Sequence, residues 1–198
     1  PLFATSGEAR LRLVKAACLL HDVSWRAHPD YRAQTCFDNA TRANLGGLGH
    51  PERVFLGLAL LHRYKNKREG TGFEDFYSLI DEAEQRAAEV LGKAMRFGSM
   101  LWMSDAKKED GADLDWNPET RSLVLNLTAE AAPLYGEVAE ARFNSLARAL
   151  DGTAPTCDAS PSATTTTPPF FSWEFGFGSM MHSFVKVAWD AMDRNVPL

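Results

Sequence analysis

The sequence predicts a mainly α fold: a bundle of amphipathic helices with a small β-hairpin and a final helix. Two observations predict it. Apolar residues recur at helical spacing through most of the first half of the chain. The one clear period-2 alternation, Leu123, Leu125 and Leu127 against Ser122, Val124 and Asn126, follows the turn signal Asp115-Trp116-Asn117-Pro118-Glu119-Thr120.

Taken in order, the first helix starts near Ser6, a capping residue, with Glu8 favourable at the positive helix end. Its stripe is Leu11, Leu13, Val14, Ala17, Cys18, Leu20 and Val23, ending near Ser24 before the turn at His28-Pro29-Asp30. A second helix covers Tyr31 to Asn44 and stops at Gly46-Gly47. Pro51, at a first helical position, opens a third from Glu52 to Tyr64, with Val54, Phe55, Leu58, Leu60 and Leu61 as core. After the basic stretch Arg63–Arg68 and Gly70-Thr71-Gly72, a short helix over 73–79 precedes a long one over 81–102. The long helix carries a stripe of Ala83, Ala87, Val90, Leu91, Ala94, Met95 and Phe97. The hairpin pairs 112–117 with 121–127. Residues 129–150 then read as a helix, broken or started at Pro133.

Residues 153–169 (TAPTCDASPSATTTTPP) mark a break in composition. Such sequence buries too little apolar area to offset its ordering entropy, so it reads as a linker. The Phe-, Trp- and Met-rich tail beyond it, 170–198, reads as a helical segment that docks on something. The expected organisation is a helical domain over 1–104, a hairpin-plus-helix piece over 105–150, a linker over 151–169 and the tail.

Cys18, Cys36 and Cys157 are odd in number and show no CxxC spacing, so no disulfide framework is expected and the setting reads as reducing and cytoplasmic. No apolar run is long enough to cross a bilayer, and no secretory leader is visible. The chain opens on Pro1, not Met, which reads as a fragment or a processed product. The net charge of −5 hides an asymmetry: residues 1–70 carry 11 Lys/Arg against 6 Asp/Glu, whereas residues 71–150 carry 8 against 15. An anionic partner is therefore expected at the first third of the chain.

Three local strings could carry chemistry. Leu19-Leu20-His21-Asp22 places adjacent His and Asp at a helix end, the pattern by which HD-type phosphohydrolases ligate a water-activating metal. His50 and His62 sit where further ligands would be expected, but no histidine precedes His21 and no downstream aspartate stands out. The competing reading is that His21 and Asp22 cap their helix and bond neighbouring backbone, so no metal is expected. The string Trp25-Arg26-Ala27-His28-Pro29-Asp30-Tyr31-Arg32 reads either as an interhelical turn, with Asp30 as N-cap and Trp25 packed, or as a rim offering Arg26, His28 and Arg32 to an anion. Arg63, Lys65, Lys67 and Arg68 follow His62 as a dense cationic run: a solvated helix end, or a groove for a phosphate chain. Walker loops, GxGxxG, GxSxG and paired zinc-type cysteines are absent from the sequence.

Four stretches carry a family likeness: RLRLVKAACLLHDVSWRAHPDYRAQ, GLGHPERVFLGLALLHRY, SLVLNL and LYGEVAEARFNSLARAL. Together they closely resemble the C-terminal region of exopolyphosphatases of the Ppx/GppA family, over roughly residues 1–150. The resemblance implies an HD-domain-like helical topology without metal hydrolase activity. Catalysis is implied for an N-terminal actin-like half using Mg²⁺. It further implies polyphosphate-chain guidance and homodimer support by the C-terminal part, with Arg26, His28, Arg32, Arg63, Lys65, Lys67 and Arg68 matching a polyphosphate or phosphorylated-nucleotide role. No cofactor, membrane contact or specific nucleic acid is expected for this chain, and no catalytic residue. The alternatives are a stand-alone metal-dependent phosphohydrolase through His21 and Asp22, and a purely structural interaction module.

Overall fold

A computed structural model describes residues 7–101, 112–117, 119–129 and 131–150. It is mainly helical, with one antiparallel hairpin. In chain order the elements are α1 (Gly7–Leu20), α2 (Arg32–Arg42), α3 (His50–Tyr64), α4 (Glu74–Tyr77), α5 (Glu82–Leu101), β1 (Ala112–Asn117), β2 (Ser122–Leu127), the 3₁₀ turn η1 (Ala132–Leu134) and α6 (Glu137–Ala149). The described residues divide into two compact units, one ending at Arg96 and the other beginning at Phe97.

The first unit is built around α3. Its residues Val54 to His62 are buried without interruption, because α1, α2 and α4 all pack on it. The approach is close enough to select glycines. A Cβ on Gly57 would sit 2.9 Å from the Thr41 methyl and 3.0 Å from the Phe37 ring, so α2 crosses α3 over a missing side chain. Gly92 does the same for α5, whose backbone lies against Ala59 and His62 of α3. Phe37, fully buried, packs on Phe73 at a tilt and on Phe76 edge-on, at ring separations of 4.4 and 4.7 Å, fastening α4 to α2.

α3 begins two residues earlier than the sequence predicts, with Pro51 as its second residue. The Glu52 carboxylate reaches back to accept the Gly49 N–H at 2.6 Å, satisfying one of the orphan donors of the first turn. Arg53 and Arg12 donate to the carbonyls of Leu48 and Gly47, so two guanidinium groups hold the preceding loop. Glu52→Ala is expected to lower stability by about 1 kcal/mol, read as a shift in the urea midpoint with the unfolding slope unchanged.

Several expected details are corrected. α1 stops at Leu20, not Ser24; successive i→i+3 bonds from Val23, Trp25 and Ala27 carry the chain onward as tight turns. Val23 therefore leaves the apolar stripe and is half exposed. α2 is shorter at both ends: Tyr31, not Asp30, is its N-cap with no side-chain cap bond, and Ala43 is already extended before the glycine pair. Trp25 is 56 % exposed rather than packed. Ala83 is exposed, although the other members of the α5 stripe are buried. The proposed cap Ser6, the 153–169 linker and the 170–198 tail lie outside the described residues.

In the second unit β1 and β2 pair in the register Leu114 with Leu125 and Trp116 with Leu123. Leu123, Leu125 and Leu127 are buried and Val124 is exposed, as the alternation requires. β2 starts one residue later than predicted because Arg121 has φ 52°, a left-handed turn conformation that cannot join the ladder. Asn117 Oδ1 accepts the backbone N–H groups of Glu119 and Thr120, closing the turn. The predicted 129–150 helix is two pieces. Pro133 sits in η1, and α6 starts only at Glu137, with Phe143 packing on Phe97 at 5.4 Å and on Tyr135 at 6.4 Å.

Candidate functional site

Where α1 and α3 end, the chain has no further helical donors to give, and the last carbonyls need partners from elsewhere. His21 supplies one: its Nδ1 lies 2.6 Å from the Cys18 carbonyl. Tyr64, the last residue of α3, supplies another, with its hydroxyl 3.1 Å from the His21 carbonyl and 3.2 Å from Asp22 Oδ1. Burial first, then the Cys36 and Asp22 side chains, push the Tyr64 phenol up, so it stays a protonated donor. The buried Cys36 adjoins Ser24, Tyr64 and Arg63, and its thiol too is pushed up by burial. This small polar cluster fixes the end of α3 against the turn that carries Arg26, His28 and Arg32.

The four residues considered as metal ligands do not converge. His21 and Asp22 are engaged as above. His50 is exposed at the first turn of α3, about 20 Å of helix away from Tyr64. His62 is fully buried, and its Nε2 pairs with the Tyr77 hydroxyl at 2.9 Å. Among the described residues no three His, Cys, Asp or Glu side chains are placed to share an ion.

The cations are differently disposed. Arg26 is exposed, its guanidinium 5.0 Å from the centre of the Trp25 ring. His28 is exposed, 3.5 Å from Asp30 Oδ2 and ring to ring with Tyr31 at 6.0 Å. Arg32 is tied down, donating from Nε to the Ala27 carbonyl at 2.9 Å. Arg63 lies over the Tyr64 ring at 5.0 Å. Lys65 caps α3 through its backbone, and its side chain and that of Lys67 are exposed. Arg68 folds back onto α5, with Nε 2.8 Å from Glu89 Oε2 and Nη1 3.2 Å from Gln85 Oε1.

Three contributors on α5 escaped the sequence reading. Lys93 pairs with Glu89 at 2.6 Å, and Arg96 donates to the Tyr64 carbonyl at the end of α3. Glu89 is the anion among them. Burial alone would raise its carboxyl, but the bonds from Lys93 and Arg68 hold it below the usual carboxylate range. The Glu89–Lys93 spacing of four is the visible signal, since such residues share a helix face, and it lies apart from the apolar stripe of that helix.

The family model described as "Exopolyphosphatase, C-terminal" matches residues 2–154, more than three quarters of the chain. The chain belongs to that family. No curated protein matches it in full-sequence comparison. The match runs through both described units of this exopolyphosphatase C-terminal domain, from α1 through α6.

Proposed function

We propose that this chain is a non-catalytic polyanion-binding domain. Its ligand in this reading is inorganic polyphosphate, with a phosphorylated nucleotide such as guanosine pentaphosphate as the other candidate. The parent enzyme would release terminal phosphate from polyphosphate through an N-terminal actin-like half using Mg²⁺, in the cytoplasm and as a homodimer. One observation carries the binding reading. Tyr64 ties the end of α3 to His21 and Asp22, which brings the basic run after His62 to the same end of the unit as the turn bearing Arg26 and His28. The two segments lie some forty residues apart in sequence, and several cations along one face suit a flexible chain of closely spaced phosphates.

The exposed side chains Arg26, His28, Lys65 and Lys67 meet the ligand in this reading; Arg32 positions the turn and Arg63 stacks on Tyr64. Calorimetry with long-chain inorganic polyphosphate at low salt tests it. Lys65→Gln with Lys67→Gln is expected to weaken binding about tenfold, and added salt to weaken it further. Binding untouched by the pair, or absent at low salt, rejects the reading. The metal-hydrolase alternative has no ligand set among the described residues to recommend it.

A further inference from the structure

Arg68 belongs by sequence to the cationic run, yet its guanidinium faces inward. Nε and Nη1 are given to Glu89 and Gln85, and its carbon lies 5.4 Å from the centre of the Tyr77 ring. Gln85 is itself held, donating to the carbonyls of Tyr77 and Ile80. Glu89 accepts from both sides: Arg68 on one oxygen, Lys93 on the other. The three charged side chains are unequally placed. Arg68 is 39 % exposed, against 17 % for Glu89 and 10 % for Lys93. Arg68 alone is therefore near enough to water to leave. If it leaves, Glu89 keeps the Lys93 bond at 2.6 Å and is not stranded as a buried unpaired charge. The segment just after Arg68 contains Gly70 and Gly72, both with positive φ, which no other residue adopts as readily.

We infer that Glu89 is an internal competitor of the anionic ligand: it withdraws Arg68 from the binding face and so sets how many cations that face presents. This rests on the polyanion-binding reading above. A carboxylate and a phosphate oxygen make the same kind of charge-assisted bond to a guanidinium. The ligand meets Arg68 only by displacing Glu89, and in the native protein it binds mainly without it. Removing the negative charge at position 89 converts Arg68 from a latch into a ligand-binding cation. Each additional cation engaged on a polyanion releases more counterions, so the salt dependence must steepen together with the affinity.

The test is titration of the 198-residue chain with long-chain inorganic polyphosphate across a series of salt concentrations, for the native protein, Glu89→Gln, Arg68→Gln and the double variant. Glu89→Gln is expected to bind several-fold more tightly with a steeper salt dependence. Arg68→Gln should change native affinity less than twofold, and in the double variant the gain should vanish. A folded Glu89→Gln that binds no better than the native chain overturns the inference. Should Glu89→Gln fail to fold, Arg68→Gln alone decides: a loss as large as that of the Lys65/Lys67 pair shows Arg68 already on the ligand and also overturns it, and a native-like affinity supports it. A native chain that does not bind defeats the binding reading itself; Glu89→Gln that then gains binding still supports masking by Glu89, and one that does not overturns both.

Discussion

Gly92→Ala is expected to destabilise the first unit by about 3 kcal/mol or more, or to prevent its folding. An added Cβ would overlap the Ala59 carbonyl oxygen and the His62 Cβ of α3. Neither neighbour is the end of a flexible side chain; both are fixed by the helix they belong to, so relief requires α5 to move away from α3. That movement would loosen Val90, Leu91, Ala94 and Met95, all buried, and would strain the Arg68–Glu89 bond that ties α5 to the segment after α3. Gly57→Ala should cost less, because a methyl and an aromatic ring can yield by a few tenths of an ångström. Gly46→Ala, with nothing within 4 Å of the new carbon, should stay within about 0.5 kcal/mol of the native chain. Guanidinium unfolding of the three variants, followed by circular dichroism, gives the order. A Gly92→Ala protein as stable as Gly46→Ala would contradict the close α3–α5 crossing.

The helical architecture was legible because its signal is local. Every element from α1 to β2 was anticipated, and the apolar residues named for α3 are all buried. Errors gathered where tertiary partners decide. Trp25 reads as a core residue by composition, yet the turns after Leu20 leave it outside, under Arg26. His62 reads as a potential ligand because histidine suits metals, but α5 and Tyr77 bury it. Arg68 reads as one cation of four. Its partners lie 17 and 21 residues away on the polar face of α5, a separation no local pattern reports. The family likeness of WRAHPDYR was legible without geometry, whereas the disposition of its charges was not. Arg32 turned out to brace the Ala27 carbonyl and Arg26 to stay exposed, two roles that the same residue type could have filled in either order.

Acid should act on the first unit through His62. Burial pushes its imidazole down to about 4, with the Glu89 carboxylate opposing part of the fall. A histidine whose folded value lies below its unfolded value of 6.5 takes up its proton more readily in the unfolded chain. The folded state is therefore favoured fully above pH 6.5 and loses that advantage as pH falls towards 4. By pH 5 the loss amounts to about 2 kcal/mol, and below 4 to about 3 kcal/mol. Glu84 works in the other direction. Burial pushes its carboxyl up to about 7, so its contribution is present in full below 4.5 and disappears as pH rises through 7. Other shifted groups, Glu89 among them, add to the native stability profile, and the His62 part is isolated by subtraction. His62→Gln keeps a polar group that can reach the Tyr77 hydroxyl but cannot gain a charge. Urea unfolding at pH 7 and pH 5 should show the native chain losing about 2 kcal/mol more than His62→Gln over that interval. Equal losses would mean that His62 takes its proton in the folded state as easily as in water, which a fully buried ring bonded to a buried phenol should not allow.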